Sequence, residues 1–412
     1  MDPEFTEDEV LLKETVRRFA QEVLAPRAAA LDETAAFPAE HLPKLAELGI
    51  MGMNLPERWG GPGISAPALM LAVEQIAGAC AATASMVTAH FLASDAILLG
   101  GEDGLRQRYL PAAAAGDTLG AFALTEPGAG SNPADMRTTA RREGAGYRLE
   151  GVKHFISNGG VADFVVVFAV SDPAAGPRGI SAFVVDRGTN GFAAGPPQPT
   201  MGLRAGQVFE LSFDCVVPEE NRIGPEGSGF KTALRVLDNG RVEVAAMCLG
   251  IAQAAFDAAL AWAKQREVSN RPLAEYQGIQ WMLADMKVKI DAARLLIYRA
   301  VINGEQGFPS RLEAATAKVF SNEMAVEVTN SALQIFGGYG YSREYPMEWL
   351  VRFARQKKVN VILRCFVLRQ LTEMILLDLL VTYSLMISRR CIRTNAFNSK
   401  PLPKSCRHAS LI

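Results

Sequence analysis

The chain contains few histidines and has almost no net charge. Its four histidines are scattered over 412 residues, whereas a zinc site needs several histidine or cysteine ligands close together in space. The formal net charge is only -2, which offers no basic surface of the kind that binds nucleic acid. We therefore expect neither a metal site nor a nucleic-acid partner.

Paired cysteines and an uninterrupted apolar run are also missing. The six cysteines lie far apart, as free thiols of a reducing compartment do: Cys80, Cys215, Cys248, Cys365, Cys391 and Cys406. The stretch from Val359 to Ile387 is largely apolar but is interrupted by Arg364, Arg369, Glu373 and Asp378, which argues against a membrane span. We expect no signal peptide, no membrane partner and a cytoplasmic location, with the mitochondrial matrix as the alternative.

Apolar periodicity divides the chain into three parts. Residues 6–117 carry apolar side chains at spacings of three and four, which predicts a helical domain. Residues 118–225 change to a period of two, which predicts a small antiparallel β-sheet domain. Long helical patterns return over residues 226–388, and such helices usually pack as an antiparallel bundle. The predicted fold class is therefore α+β, with helices, a sheet and helices in chain order.

Several individual elements follow from the same patterns. The stretch from Ala66 to His90 is apolar almost throughout and predicts one buried helix. In the predicted strand FELSFDCVV, alternate residues face one side, namely Phe209, Leu211, Phe213 and Cys215. Three long helices are predicted in the last part: Phe230 to Val268, Glu275 to Ile302 and Arg311 to Phe336.

The two ends of the chain look foreign to the rest. Residues 1–5, MDPEF, resemble a translated cloning linker, and the last residues, SKPLPKSCRHASLI, resemble a translated vector polylinker. We expect residues 389–412 to be an atypical, vector-derived tail. A frameshift or truncation after about residue 348 would explain it, and an unshifted genomic reading frame through residue 412 would refute that explanation.

One loop carries an unusual composition. ALTEPGAGSN, from Ala123 to Asn132, combines glycines, a proline and hydroxyl side chains, so it cannot be the middle of a helix or of a central strand. Thr125, Ser131 and free backbone N–H groups are suited to line a concavity for an uncharged heterocycle or a phosphate. The alternative is an ordinary tight turn with capping residues.

The loop and its context resemble the acyl-CoA dehydrogenase family. AFALTEPGAGSNPADM resembles the first signature of that family, and ALQIFGGYGYSREYPMEWLVR resembles the second. Further matches lie between them in family order, and the resemblance runs from about residue 7 to about residue 355. It implies an N-terminal helical domain, a middle β domain and a C-terminal four-helix bundle, with FAD between the last two.

The resemblance also implies a reaction. An acyl-CoA thioester would be oxidised at its α,β bond to the 2-enoyl-CoA, with hydride transfer to the flavin of FAD and onward transfer to an electron-transferring flavoprotein. It implies a homotetramer active in fatty acid metabolism, with short to medium, unsubstituted acyl chains as the default substrates. Two alternatives stay open: a flavin oxidase or monooxygenase on the same fold, and a catalytically impaired FAD- or CoA-binding protein.

The site residues that the resemblance implies fall into three groups. The flavin would be contacted by Phe122, Leu124, Thr125, Gly130, Ser131, Phe155, Ile156 and Ser157. The dinucleotide held mainly by a neighbouring subunit would be contacted by Arg266, Gln277, Gln334, Ile335, Gly337 and Gly338. The acyl-CoA would be contacted by Ser131, Asp238 and Arg241. Phe155 is alternatively a core strand residue, Arg266 a solvated helix residue, and the two glycines a helix C-cap.

The family's catalytic glutamate is not found where the resemblance places it. Most members carry it at a position equivalent to about Val361, and some carry it at the position of Gly240. Glu243 and Glu373 are nearby carboxylates, although a surface charge is the commoner role for each. The chain also has Trp349, Phe353 and Asn132 where the family usually has arginine, aspartate and aspartate. The catalytic base is therefore left unassigned.

Overall fold

The structure is a computed structural model that describes residues 5–304 and 309–357. Its first part is helical, as predicted. Thr6 begins it with a capping box, in which its hydroxyl accepts the N–H of Glu9 and the Glu9 carboxylate accepts the N–H of Thr6. The helices are α1 Glu7–Phe19, α2 Ala25–Thr34, α3 Leu42–Glu47, α4 Ala66–Ala79, α5 Ala81–Gly100 and α6 Asp103–Ala115.

The predicted single helix from Ala66 to His90 is wrong in one respect. It is two helices, α4 and α5, which meet at Cys80, where the backbone is extended with φ -149 and ψ 96. Helix α4 lies backbone to backbone on a later helix, because a Cβ atom on Gly250 would stand 2.2 Å from the carbonyl oxygen of Glu74. The break lets α4 keep that close contact while α5 continues towards the sheet.

The middle part is one sheet of eight strands, mainly antiparallel as expected. The strands are β1 Gly120–Ala123, β2 Thr139–Glu143, β3 Gly146–Ser157, β4 Phe164–Val170, β5 Ile180–Asp186, β6 Phe192–Ala194, β7 Val208–Pro218 and β8 Arg222–Ile223. Neighbouring strands pair in the order β6-β7-β3-β2-β4-β5-β8. Strand β1 pairs with β4 in parallel, and one bridge between β2 and β4 is also parallel.

Alternation along the strands divides the apolar residues between two cores. Phe209, Leu211, Phe213 and Cys215 on β7 are all buried on one side, as their spacing predicts. Strand β4 is buried on both sides. Phe164 and Phe168 pack with helices α5 and α6, whereas Val165 and Val167 pack with β3 and β7. One face of the sheet therefore packs against helices, and the apolar side chains of its other face pack against other strands of the same sheet.

Long helices return in the last part: α7 Gly229–Gln265, α8 Gln277–Ile302, α9 Arg311–Phe336 and the shorter α10 Met347–Lys357. The prediction that the first would reach Val268 is wrong. The chain leaves α7 at Arg266 and forms a hairpin of β9 Glu267–Val268 and β10 Arg271–Pro272, with Ser269 and Asn270 left-handed at its turn. The remainder of the predicted 226–388 bundle and the 389–412 tail lie outside the described residues.

Two of the described helices, α5 and α7, are long and apolar enough to cross a membrane. Both are largely buried against other parts of the molecule. Core helices of globular proteins have the same composition, because they are covered on all sides. Helix α7 contacts α4, α5, α8 and α9, which makes it the central element of the molecule.

Candidate functional site

The signature loop, residues 124–135, follows β1 and folds back at a short bridge between Glu126 and Ala129. Within it, Thr125 is half-buried, whereas Gly130 and Ser131 are exposed. The backbone N–H of His154 on β3 donates to the carbonyl oxygen of Thr125 at 2.9 Å. This contact holds the loop against strand β3.

A buried ion pair fixes the shape of the loop. Lys153 on β3 is 0% exposed, and its Nζ donates to Glu126 Oε1 at 2.8 Å and to the carbonyl oxygen of Leu124 at 3.1 Å. The Glu126 carboxylate also accepts the N–H groups of Arg137 and Thr138, at 2.6 and 3.0 Å. One buried carboxylate therefore joins the start of the loop, its end and the neighbouring strand.

The protonation states of this pair follow from burial and charge together. Burial lowers the pKa of Lys153 to about 8, with the Glu126 charge opposing the fall. For Glu126, burial raises the pKa, but the Lys153 charge and the hydrogen bonds outweigh it, so the pKa lies below its usual value. Glu126 is therefore ionised at neutral pH, with a cation beside it.

Strand β3 is irregular next to the loop. Its register against β7 shifts between Lys153 and Ile156, which is the signature of a β-bulge. Within the bulge, Phe155 has φ 57 and its side chain is 58% exposed. A positive φ at a bulky residue is a strained conformation that tends to occur at functional sites. The bulge turns Lys153 inward to the ion pair and Phe155 outward beside the loop.

The other predicted flavin residues are placed around this strained point. Ile156 and Leu124 are buried, so their side chains belong to the core, and Ser157 is half-buried. The ring of Phe122 packs on Phe168, with ring centroids 4.9 Å apart. These four side chains are buried or half-buried and pack under the site, whereas its exposed surface is formed by the loop and by Phe155.

A second set of predicted residues surrounds a pocket at the ends of α7 and α9. The Trp262 pocket has a volume of about 640 Å³ and is lined by Trp262, Arg266, Gln334, Ile335, Phe336, Gly337, Gly338 and Tyr339, among others. This volume lies in the range of small-molecule sites, about 300–1,000 Å³. The sequence prediction named five of those residues. Gln277, the sixth, opens α8 but does not line the pocket, whereas Ile279 of the same helix does.

Aromatic rings form the walls of this pocket. Trp262 stacks on Phe336 with ring centroids 4.7 Å apart and an angle of 13° between the planes. The Arg266 guanidinium lies over the ring of Tyr339, 5.4 Å from its centroid. Gly337 ends α9 with φ 60, and a Cβ atom there would meet nothing within 4 Å, so glycine is required by conformation rather than by space.

A dinucleotide such as FAD fits the residues present. The indole nitrogen of Trp262 is buried and has no hydrogen-bond partner among the described residues, so it can donate to an acceptor on a ligand. Arg266 is exposed, and a guanidinium matches the two oxygens of a phosphate. The pocket therefore offers flat aromatic surface, an unused donor and a cation, which suit an adenine ring and a pyrophosphate.

The predicted acyl-CoA residues on α7 are paired with each other. Asp238 and Arg241 form an ion pair across one helical turn, and both are largely buried. Arg311, at the first turn of α9, adds its Nε at 3.3 Å from the second oxygen of Asp238. Arg311 was missed from the sequence, because it lies 73 residues away from its partner.

The two alternative positions for a base on α7 differ in what surrounds them. A Cβ atom at Gly240 would lie 2.6 Å from the side chain of Leu92, so Leu92 fills the space next to it. Glu243 is 1% exposed and lines a separate cavity together with Asp95. The interpretation of Glu243 as a surface charge is therefore wrong. The position near Val361 and Glu373 lie outside the described residues.

The chain is similar to known proteins both in sequence and in structure. Models of the acyl-CoA dehydrogenase N-terminal, middle and C-terminal domains match residues 6–117, 121–216 and 227–359. A "short-chain specific" acyl-CoA dehydrogenase of Clostridium acetobutylicum is 42% identical over 357 residues, which cover 86% of this chain and 94% of that protein.

Two solved structures are similar over most of the chain. A chain in a structure described as the electron transferring flavoprotein of Acidaminococcus fermentans is 40% identical, with a TM-score of 0.88 and coverage of 90% of this chain and 99% of the other. A glutaryl-CoA dehydrogenase of Mycobacterium smegmatis in complex with FADH2 is 31% identical, with a TM-score of 0.81 and coverage of 86% and 91%. With its three domains, its signature loop and these relatives, the chain belongs to the acyl-CoA dehydrogenase family.

Proposed function

We propose that this protein is an FAD-dependent acyl-CoA dehydrogenase, which oxidises the α,β bond of an acyl-CoA thioester to give the 2-enoyl-CoA. The observation that carries the proposal is the signature loop, held by the Lys153–Glu126 pair beside the strained Phe155. Membership of the family supports it. When bound, FAD supplies a two-electron acceptor for the hydride that leaves the β-carbon.

The residues of this chain bind and orient the reactants. The hydroxyl of Thr125 and the exposed Ser131 present donors on the loop, and Phe155 offers an aromatic surface beside them. Asp238 and Arg241, at the same end of α7 as the sheet, hold the acyl-CoA. The group that takes the α-proton is not assigned to any described residue.

We place the substrate among short to medium, unsubstituted acyl-CoA thioesters. The relative from Clostridium acetobutylicum, described as short-chain specific, supports this class. A solved structure described as a prolyl acyl carrier protein oxidase is 26% identical, whereas the dehydrogenase from Clostridium acetobutylicum is 42% identical, which favours the dehydrogenase reaction over the oxidase alternative.

An anaerobic titration tests this function. The purified full chain, supplied with FAD, is mixed with butyryl-CoA, and bleaching of the flavin absorbance near 450 nm is followed. We expect bleaching by butyryl-CoA, slow recovery in air and fast recovery with an electron-transferring flavoprotein. Fast recovery in air indicates an oxidase. Yellow protein that binds the thioester without bleaching indicates a binding protein and refutes the proposal.

We further propose that the protein is a homotetramer in which the Trp262 pocket receives part of the FAD of a neighbouring subunit. Helix α8 supports self-association, because four large apolar side chains are exposed on it at intervals of seven residues: Trp281, Val288, Leu295 and Ile302. A seven-residue repeat is the pattern by which helices pack lengthwise on other helices. Such a stripe on a soluble surface marks an interface.

Light scattering of two matched variants tests the assembly. Leu295→Glu places a charge on the α8 stripe, and Leu11→Glu places one at an exposed leucine of α1. We expect the first variant to shift towards smaller species and to lose FAD, while the second stays tetrameric. Equal masses for both variants and the unaltered protein would exclude the stripe as an interface.

The Trp262 pocket has a test of its own. Arg266→Ala removes an exposed guanidinium, so we expect the folded apoprotein to be as stable as before, while FAD binding weakens by about 1.5–3 kcal/mol, the range for hydrogen bonds to charged groups. Lys264→Ala, two residues earlier and also exposed, is the matched control. Equal FAD affinity in both variants, measured by fluorescence titration, contradicts a nucleotide role for the pocket.

We also propose an electron-transferring flavoprotein as redox partner, a role in fatty acid metabolism and a cytoplasmic location. The first is supported by the description of the structure from Acidaminococcus fermentans. The last is supported by two buried cysteines, Cys80 and Cys215, which form no disulfide among the described residues. Fractionation of cells that express the native gene tests the location, and recovery of the protein with membranes would contradict it.

A further inference from the structure

A second cavity lies behind α7, away from the residues of the signature loop and the Trp262 pocket. It has a volume of about 500 Å³ and lies between the chain from Met53 to Ala66, helices α4 and α5, and α7. Its walls are mainly apolar, with side chains that include Met53, Leu55, Ile64, Leu69, Leu98 and Leu99. Nothing in the proposed reaction uses it.

One end of this cavity is acidic and incompletely paired. Asp95 on α5 and Glu243 on α7 are each 1% exposed. Asp95 accepts hydrogen bonds from Asn54 at 2.7 Å and from Asn239 at 3.2 Å. Glu243 Oε2 and the side-chain oxygen of Asn54 are buried and have no partner among the described residues. Two buried oxygens at this end, one on Glu243 and one on Asn54, therefore have no donor among the described residues.

Among the described residues that line the cavity, no cation forms an ion pair with these two acids. The third charged residue of the lining is Arg58, which is exposed at the rim, with its guanidinium 5.5 Å from the centre of the Trp59 ring. Burying carboxyl groups without a donor is costly, and most buried polar groups are therefore hydrogen-bonded. A ligand that brings N–H donors would therefore stabilise this arrangement.

From this geometry we infer that the cavity behind α7 binds a primary alkylammonium ion, with its ammonium group at Asp95, Glu243 and Asn54 and its alkyl chain along the apolar wall. An ammonium group has three N–H donors and no acceptor, which matches a set of three acceptor side chains. The volume is that of a small-molecule site. A metal ion is the poorer match, because the described residues contain no group of three or more His, Cys, Asp or Glu side chains that could hold one.

Calorimetric titration of the full chain with hexylammonium chloride tests the inference, and hexanol is the neutral comparison of equal chain length. We expect hexylammonium to bind at least about tenfold more tightly than hexanol. Glu243→Gln, which keeps the shape but cannot become an anion beside the ammonium group, should weaken hexylammonium by about tenfold and leave hexanol nearly unchanged. Glu33→Gln, at an exposed residue of α2, is the matched control and should change neither.

The same titration in the presence of excess FAD and CoA should give the same affinity, because the cavity shares no lining residue with the proposed flavin and acyl-CoA sites. Asp95→Asn provides a second variant with the same expected loss, should the first fold poorly. Equal binding of hexanol and hexylammonium, an unaltered affinity in both variants, or no binding at all overturns the inference. None of these outcomes depends on redox activity, so they leave the proposed function untouched.

Discussion

Two buried glutamates, each next to a functional surface, are treated in opposite ways by this fold. Glu126 in the signature loop has a lysine ammonium at 2.8 Å and two backbone N–H groups. Glu243 behind α7 has an oxygen without any partner among the described residues and a second carboxyl, Asp95, in the same cavity. The Glu126 carboxylate has its hydrogen-bond and charge partners within the protein, whereas the Glu243 carboxyl lacks a partner for one of its oxygens among the described residues.

The difference shows how burial alone fails to define a role. Both carboxyl groups are removed from water, but only Glu126 is held ionised, since the Lys153 charge lowers its pKa below the usual value. Burial raises the pKa of Glu243 well above the usual value, and the Asp95 charge adds to that rise. A buried carboxylate with a full set of partners can hold the surrounding chain in place. A buried carboxyl without such partners is favoured in its protonated form or when a ligand supplies the missing donors.

The largest change in stability is expected when Glu126 loses its charged partner, so that it becomes a buried carboxyl group without a cation among the described residues, as Glu243 is. Lys153→Met removes the ammonium and leaves a buried carboxylate with backbone partners only. Breaking a buried ion pair from one side costs about 3–5 kcal/mol, so we expect a loss of that size in the free energy of unfolding, together with loss of bound FAD. Urea unfolding followed by circular dichroism gives the first quantity, and flavin absorbance gives the second.

The double variant Lys153→Met/Glu126→Gln is the control. If the single loss comes from an unpaired charge, the double variant should recover a large part of the stability, and the two changes will be far from additive. A Lys153→Met protein with normal stability and normal flavin content would show that the pair does not hold the loop.

The roles of these residues were unequally visible in the sequence. Thr125 and Ser131 stand in a motif whose glycines and proline exclude regular structure, so the loop was predictable from local composition. Lys153 was not, because alternation along a regular strand cannot place both Lys153 and Ile156 inward; the bulge does so. Trp262 was missed as well, since an aromatic residue on a core helix is usually part of the core.

Tertiary packing explains the remaining misses in the fold. The periodicity of α7 does not single out Glu243, because apolar neighbours surround this central helix and no solvent-facing stripe marks its back. The break at Cys80 has no proline and follows from close packing of α4 on α7. Local patterns thus identified the elements, and long-range contacts determined where they break and which charges they bury.

A smaller effect of the opposite sign is expected at Glu243. Burial raises the pKa of Glu243 well above its usual value, and the Asp95 charge adds to that rise. A carboxyl group with a raised folded-state pKa contributes stability below its ordinary pKa, and this contribution is lost as the pH rises through the folded-state value. We therefore expect Glu243→Gln to raise the free energy of unfolding at neutral pH and to flatten its decline as the pH rises above the ordinary pKa of a glutamate.

Urea unfolding of the variant and the unaltered protein at a series of pH values measures this. Glu33→Gln, exposed on α2, controls for the loss of one charge and should follow the unaltered protein at every pH. Parallel curves for Glu243→Gln and the unaltered protein would mean that Glu243 does not change its protonation on folding, and the contrast with Glu126 would then disappear.

The smallest expected change in stability comes from backbone strain. The signature loop region and the region around the cavity also differ in which residues adopt a positive φ. Beside the signature loop, the bulky Phe155 adopts φ 57, whereas the chain around the cavity uses glycine for such angles, as at Gly63 with φ 64. Phe155→Gly relieves the strain at an exposed position, so we expect the apoprotein to gain up to about 1 kcal/mol while FAD binding weakens. Gly63→Ala should lower the free energy of unfolding by about 1 kcal/mol and leave FAD binding unchanged. Thermal unfolding with and without FAD separates the two quantities, and a Phe155→Gly protein that binds FAD as before would show that the strained phenylalanine is not kept for the flavin.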